Sequence, residues 1–292
     1  MRIAVTGASG FIGRHVTAAL NKVGHEVIGL DLGAPDPHCV EWIHADVTRP
    51  LQRIYGIDAV IHLAAIAAPR ECDKNPSKAF DVNVNGTMQV LRMAMESGAR
   101  RFVFSSSAHV YDIPPRYFPT DETHPLRLNN TYTTTKLLGE QLCQLFWENH
   151  GLPYTVLRLF NAYGPGQSAG YFIPDMLAKA KKGPIDLQGG KTTKDFVYVE
   201  DVARAFVNAL ETSFVGAVNI GTGVETPLYE VANRIAQAAG VPCTPADDDA
   251  YSTRMKADWR RAKRVLWWQP TVSVEEGLAK ILSEAEVAAV RS

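Results

Sequence analysis

Met1-Arg-Ile-Ala-Val-Thr-Gly7-Ala-Ser-Gly10-Phe-Ile-Gly13 opens the chain and decides its fold class. A β-branched run ends in a glycine-punctuated turn, and the helical pattern His15-Val-Thr-Ala-Ala-Leu20 follows at once. Strand, turn and helix in that order make a cradle for a pyrophosphate. Gly7 permits the tight turn, Gly10 lets the backbone approach the phosphates, and Gly13 lets helix and strand pack closely, with Phe11 and Ile12 opening the helix between them. The helix N-terminus adds unpaired N–H groups and a partial positive charge. The G-x-x-G-x-x-G spacing is one residue longer than the usual dinucleotide fingerprint, so a glycine-rich turn of an ordinary α/β protein is the alternative reading.

The second strand favours the dinucleotide. His25-Glu-Val-Ile-Gly-Leu30 reads as a buried strand, and Asp31 stands at its C-terminal end. A carboxylate there accepts hydrogen bonds from both adenosine ribose hydroxyls and repels a 2′-phosphate. The following Leu32-Gly-Ala-Pro-Asp offers no Arg or Lys to such a phosphate. NAD is therefore expected over NADP.

A length of 292 residues suits one large α/β unit or two domains. Thirty basic against 31 acidic residues leave no electrostatic footprint for nucleic acid or an anionic membrane. No apolar run approaches the roughly 18 residues needed to span a bilayer. Residues 1–6 enter a strand directly, so no signal peptide is expected and a cytoplasmic location is. Cys39, Cys72, Cys143 and Cys243 are scattered without metal-ligand spacing, which reads as reduced thiols and no metal site.

Along the first two-thirds, short apolar strands alternate with helical stretches, the pattern of a parallel sheet covered on both faces. Strands are expected over 3–6, 27–30, 59–63, 101–105 and 155–160, and helices over 12–22, 77–97, 132–149 and 174–182. Glycine and proline crowd the stretch from Gly164 to Gly190 and mark a change of organisation. Beyond it the pattern predicts strands over 195–199 and 217–220 and helices over 201–210, 228–239 and 274–286. The acidic Asp247-Asp-Asp249 reads as an exposed loop. A cofactor domain followed by a smaller, loop-rich cap is the expected architecture.

Tyr132-Thr-Thr-Thr-Lys136 opens a helical run, and positions i and i+4 share a helix face. A free Tyr, with pKa about 10, is no base near neutrality. A neighbouring cation favours the charged form of an acid by roughly 1–3 units. Lys136 and the positive ring of an oxidised nicotinamide can act on Tyr132 in this way. Ser107, ending the run Phe102-Val-Phe-Ser-Ser-Ser107, is placed to orient a reacting hydroxyl.

These motifs together resemble an extended short-chain dehydrogenase/reductase of the NAD-dependent epimerase/dehydratase family, in its UDP-galactose 4-epimerase-like group. The resemblance runs nearly end to end. It is carried by Thr6-Gly-Ala-Ser-Gly-Phe-Ile-Gly13, Ala45-Asp46-Val47, His62-Leu-Ala-Ala65, Asn83-Val-Asn-Gly-Thr87 and Phe104-Ser-Ser-Ser-Ala-His-Val-Tyr111. Tyr132-x-x-x-Lys136, Leu157-Arg-Leu-Phe-Asn161-Ala-Tyr-Gly-Pro-Gly-Gln167, Asp195-Phe-Val-Tyr-Val-Glu-Asp-Val-Ala203 and Asn219-Ile-Gly-Thr-Gly223 continue it. It implies a Rossmann-type, doubly wound parallel sheet over residues 1–163 and a smaller C-terminal α/β substrate-binding domain over 164–292. Segments near 195–222 are candidates to pack back onto the first domain.

The resemblance also implies roles. Gly7, Gly10, Phe11, Ile12, Gly13 and Asp31 hold the pyrophosphate and adenosine ribose; Asp46 and Val47 meet the adenine. Leu63, Ala64, Ala65, Asn83 and Ser105 line the cofactor channel. Ser107, Tyr132 and Lys136 form the catalytic set, and Tyr132 and Lys136 also touch the cofactor. Ser107, His109, Asn161, Lys194 and Arg254 are the substrate contacts. Sugar 4,6-dehydratases and UDP-glucuronate decarboxylases of the family carry an acid two positions past the catalytic Ser/Thr, where this chain has His109. That leaves epimerisation, or simple oxidation or reduction of a hydroxyl; in epimerisation Tyr132 takes a hydroxyl proton, hydride passes to NAD, and the ketone turns and receives the hydride on its other face. The expected substrate is a nucleotide sugar, the expected carbon C4, and the expected assembly a homodimer.

Two departures keep other readings open. Lys194-Asp195-Phe196 stands where relatives read Arg-Asp-Phe/Tyr, so the bidentate fork is lost. The usual Arg-Pro-x-Asp segment is Thr244-Pro-Ala-Asp-Asp-Asp249, acidic where a diphosphate wants positive charge. An NAD-dependent dehydrogenase or ketoreductase of a sugar or polyol, without a nucleotide, is the alternative. A non-catalytic NAD-binding regulator is the third. Leu266-Trp267-Trp268 replaces the familiar Leu-Gly-Trp, an indole in place of a turn glycine.

Overall fold

The computed structural model describes residues 1–189, 192–245 and 253–290. One seven-stranded sheet organises it. Six of its strands are β1 (Arg2–Thr6), β2 (Glu26–Asp31), β3 (Glu41–His44), β4 (Ala59–His62), β5 (Phe102–Ser107) and β6 (Tyr154–Leu159). The seventh, Gly216–Ile220, pairs with β6 at one edge, and the order across the sheet is Gly216–Ile220, β6, β5, β4, β1, β2, β3. Every neighbouring pair is parallel. The chain starts in the middle, builds outward through β2 and β3, then crosses back to add β4 on the other side of β1. The winding reverses between β1 and β4, the place where sheets of this kind form a ligand crevice at the C-terminal strand ends.

The strands are apolar on both faces because both faces are covered. Ile3 and Val5 of β1 join Val16, Leu20, Val27 and Phe206 in one core, while Ala4 joins Ile28, Val60, Leu91 and Phe104 in the other. The helix Phe11–Lys22 packs against Val199–Glu211, so the chain beyond residue 195 returns to the first sheet through a helix as well as a strand. A third core gathers Tyr163, Ile173, Phe196, Val231, Ile235 and Leu278 from the C-terminal part. Among the described residues no helix is long and apolar enough to cross a membrane.

Several elements differ from the sequence expectation. The helix expected over 77–97 is Pro76–Phe80, a π-helical turn Asp81–Asn85 and Gly86–Glu96, with a further helix Pro69–Lys74 ahead of it. Pro76 and the Asn75 side chain, which accepts from Lys78 N at 3.1 Å, restart the chain between the first two. The strand expected over 195–199 stops at Tyr198, and the next helix begins at Val199. β3 and the helix Arg260–Leu266 were not anticipated. That helix ends on Trp267 at φ 50°, a left-handed conformation that favours glycine, with the indole exposed to solvent. The Asp247-Asp-Asp249 loop lies outside the described residues.

Candidate active site

The first turn fits the pyrophosphate of a dinucleotide. Gly7 adopts φ +70°, and a Cβ there would lie 2.6 Å from Ala64 N. The β1 turn and the end of β4 therefore approach at backbone distance, which brings Leu63, Ala64 and Ala65 to the same crevice. A Cβ on Gly13 would fall 2.1 Å from the Gly7 carbonyl oxygen, so the helix start can sit on the turn only as glycine. Gly10 caps the helix Phe11–Lys22 with no side-chain hydrogen bond and no acid in the first turn. Its N-terminus keeps its positive end for an anion.

Asp31 binds this turn to the chain after β2. Its carboxylate accepts from Ser9 N at 3.0 Å and from Gly33 N at 2.9 Å, one oxygen each. Each oxygen keeps acceptor capacity for a ribose hydroxyl. Asp46 accepts from Thr48 N and Thr48 Oγ1 at 2.9 and 2.8 Å, which holds its carboxyl below the usual range. Val47 is buried against Gly86.

Behind the crevice, His62 ties β4 to β1 and to the helix Gly86–Glu96. Thr87 Oγ1 donates to the Asn83 carbonyl at 2.6 Å, so it accepts from His62 Nε2 at 3.0 Å. His62 Nδ1 then accepts from Thr6 Oγ1 at 2.6 Å, a neutral tautomer assigned by this elimination. Burial and the Lys136 charge hold its pKa down at about 3.

Asn83 joins three elements. Its Oδ1 accepts from Ile66 N at 2.8 Å, and its Nδ2 donates to the Ile66 carbonyl at 3.1 Å and to Thr135 Oγ1 at 3.0 Å. The π-helical turn brings Asn83 inward, where it braces the loop after β4 against the Tyr132 helix.

The catalytic set comes together at the end of β5. The helix Thr131–His150 starts in a capping box, in which Asn130 accepts from Thr133 N at 2.9 Å and Thr133 Oγ1 accepts from Asn130 N at 3.1 Å. That fixes Tyr132 in the first turn, and such caps contribute about 1 kcal/mol. Tyr132 is 8% exposed and packs on Cys72, Ala79 and Ile66. Burial pushes its phenol up, and the adjoining Ser107 side chain draws it down. Lys136 donates to the Ser105 carbonyl at 2.9 Å, and burial lowers its pKa to about 8. The Lys136 ammonium alone leaves the phenol above its ordinary value; the positive nicotinamide ring, when bound, is the second charge that favours the phenolate.

Across the cleft, Lys194 Nζ donates to Asn161 Oδ1 at 3.2 Å, and Asn161 Nδ2 donates to the Asp195 carbonyl at 3.1 Å. Burial lowers the Lys194 pKa. No carboxylate pairs with Lys194 among the described residues, so its charge is available to an anion. His109 is held neutral, its pKa lowered to about 4 by burial and by Lys194. In the neutral form its ring can donate or accept one hydrogen bond at each nitrogen.

Arg254, the other expected substrate contact, is ion-paired. It grips Glu225 through two bonds of 2.5 and 2.7 Å and lies over the Phe118 ring. Its charge is spent on a carboxylate. Two residues of the site were missed in the sequence. Cys72 lies against Tyr132, with no sequence signal; Glu140 is buried one turn beyond Lys136, where i+4 spacing was the available sign. No group of three or more His, Cys, Asp or Glu among the described residues could hold a metal ion.

A switch-point cradle, an acidic residue at the end of β2 and a buried Ser–Tyr–Lys set define an NAD-dependent short-chain oxidoreductase-type enzyme. The chain belongs to the NAD dependent epimerase/dehydratase family, whose profile matches residues 3–221. It is 34% identical to a UDP-glucose 4-epimerase of Mycolicibacterium smegmatis over 96% of this chain and 97% of that one. It is 32% identical to UDP-glucuronic acid decarboxylase 1 of Arabidopsis thaliana over 97% of this chain and 69% of that one. The UDP-glucose 4-epimerase of Thermotoga maritima, solved with UDP-glucose, superposes with a TM-score of 0.91 at 28% identity, over 99% of this chain and all of that one.

Proposed function

We propose that the chain is an epimerase of a nucleotide sugar and inverts carbon 4. The observation that carries this reading is an intact Ser107–Tyr132–Lys136 set with neutral His109 in the position where dehydratases and decarboxylases of the family carry an acid. Other carboxylates around the cleft are occupied. Asp195 accepts from Thr222 N, Thr222 Oγ1, Gly223 N and Ala257 N, and Glu225 is held by Arg254. Elimination needs a second acid/base that these residues do not offer.

Epimerisation needs only what is present. Tyr132 as phenolate takes the proton of the substrate hydroxyl, with Ser107 orienting that hydroxyl and Lys136 holding the strand end. NAD, when bound, supplies the acceptor of the hydride and its return donor. The planar ketone presents its second face, and Tyr132 gives the proton back. Lys194 and Asn161 meet the anionic part of the substrate. A homodimer through the helices Gly86–Glu96 and Thr131–His150, which expose Met95, Leu145 and Trp147, completes the proposal.

A second reading, a dehydrogenase or ketoreductase of a sugar without a nucleotide, is favoured by one observation: Arg254 is neutralised by Glu225, leaving Lys194 to face a diphosphate. Denaturing the purified protein and quantifying the nicotinamide released tests the two. Near-stoichiometric cofactor, with UDP-glucose and UDP-galactose interconverted without added NAD, supports the epimerase. Cofactor-free protein that accumulates NADH from added NAD and a sugar alcohol supports the dehydrogenase.

A further inference from the structure

Three successive serines at the end of β5 are engaged by one stripe of the helix Thr131–His150. Tyr132 adjoins Ser107, Lys136 Nζ donates to the Ser105 carbonyl at 2.9 Å, and Ser106 Oγ donates to Glu140 Oε1 at 2.5 Å. The three helix residues are spaced four apart and therefore stack on one face. Gly139 lets that face lie close to the strand, since a Cβ there would fall 2.4 Å from Phe104 Cζ.

Glu140 is closed from behind by Arg158 of β6. Arg158 Nη2 donates to Oε2 at 2.7 Å and Nε to Oε1 at 3.0 Å, and the two side chains are 6% and 10% exposed. Arg158 Nη1 reaches the Tyr111 hydroxyl at 3.2 Å, which donates to Asn219 Oδ1 at 2.6 Å. A buried ion pair adds little net stability over an apolar pair of the same shape. What this one supplies is geometry and charge balance beside the reacting residues.

We propose that Glu140 is a positioning residue for the reaction: clamped by Arg158, it fixes the serine end of β5 against Lys136 and Tyr132, and it balances the Arg158 charge so that no second unpaired cation lies behind Lys136. The proposal rests on Tyr132 being the base, not on which sugar is bound. The titratable groups around Tyr132 and Lys136 are Cys72 and Tyr171 across from the helix, His62 of β4, and Glu140 and Cys143 on the helix itself. Glu140 in turn faces Arg158, Tyr111 and Tyr154. Removing the Glu140 charge leaves Arg158 unbalanced, which favours the phenolate. Removing Arg158 leaves Glu140 unbalanced, which disfavours it.

The test is a pH titration of phenolate absorbance with NAD bound, each protein measured against its Tyr132→Phe counterpart. It reads Tyr132 whether or not a substrate is known. Glu140→Gln is expected to move the titration to lower pH and Arg158→Met to higher pH. Glu140→Gln is also expected to lower kcat about tenfold or more, with KM changed less than about twofold, as loosened geometry does. Titrations that stay in place, or that both move the same way, overturn the proposal. If Glu140→Gln does not fold, Ser106→Ala keeps the ion pair and removes only the strand clamp. Reduced kcat with unchanged KM supports the proposal there, and unchanged kcat overturns it. Opposite titration shifts in a protein that turns over no nucleotide sugar uphold this positioning role while removing the epimerase reading.

Discussion

The Lys136 ammonium sits 5.9 Å from the centre of the Tyr132 ring and spends its hydrogen bond on the Ser105 carbonyl at 2.9 Å. The lysine therefore stands beside the Tyr132 ring while pinning the strand that carries Ser107. Holding that charge in a buried site is costly, as its pKa of about 8 records. The native state binds the proton less tightly than the unfolded chain. The destabilisation is fully present below pH 8 and is relieved as pH rises toward the ordinary lysine value.

Lys136→Met should for that reason stabilise the fold while removing activity. The variant loses the buried charge but leaves the Ser105 carbonyl without its donor, so the net gain at neutral pH is about 1–2 kcal/mol. Chemical denaturation beside a turnover assay checks it: higher stability with turnover reduced at least about a hundredfold is expected.

Asp31→Ala should weaken NAD and reduce discrimination against NADP, because it removes the acceptor for the ribose hydroxyls and the charge that repels a 2′-phosphate. It also releases the Ser9 and Gly33 amides that the carboxylate holds. Titrating both cofactors into wild type and variant measures the change. An unaltered NAD/NADP ratio would reduce Asp31 to a turn residue.

Lys194 and Arg254 should respond differently to removal. Lys194→Ala should weaken inhibition by UDP about tenfold or more, since it deletes a half-buried cation with no carboxylate partner among the described residues. Arg254→Ala removes a cation already held by Glu225, and UDP inhibition should change less than about threefold. Inhibition constants for the two variants decide it.

Acidification should destabilise the protein through two buried histidines. His62 and His109 stay neutral in the fold, with pKa values of about 3 and about 4, whereas in the unfolded chain they take a proton near 6.5. Their contribution is complete above pH 6.5 and is lost as pH falls from there toward 4. Thermal unfolding between pH 7 and pH 5 should show a falling midpoint, with a shallower fall in His109→Asn.

The parts legible in the sequence were those whose chemistry is local. The glycine turn, Asp31 at the end of β2 and Tyr132 four residues before Lys136 each declare themselves over a few residues. β3 was missed because Glu41-Trp-Ile-His44 mixes polar and apolar residues at a sheet edge, where a buried-strand pattern is not required. The break of the 77–97 helix was missed because its cause is tertiary: Asn83 turns inward to reach Ile66 and Thr135. Glu140, a carboxylate in mid-helix, reads as solvated until Ser106 and Arg158 are brought against it. The pairing of Arg254 with Glu225 does not show in the sequence because the two lie far apart along the chain.

The epimerase account depends on one hydride leaving and returning to the same carbon. The measurement is turnover of UDP-glucose deuterated at carbon 4, with no cofactor added beyond that already bound, followed by NMR. The account predicts UDP-galactose with the deuterium retained at carbon 4. No UDP-galactose, or deuterium appearing in released NADH, would contradict it.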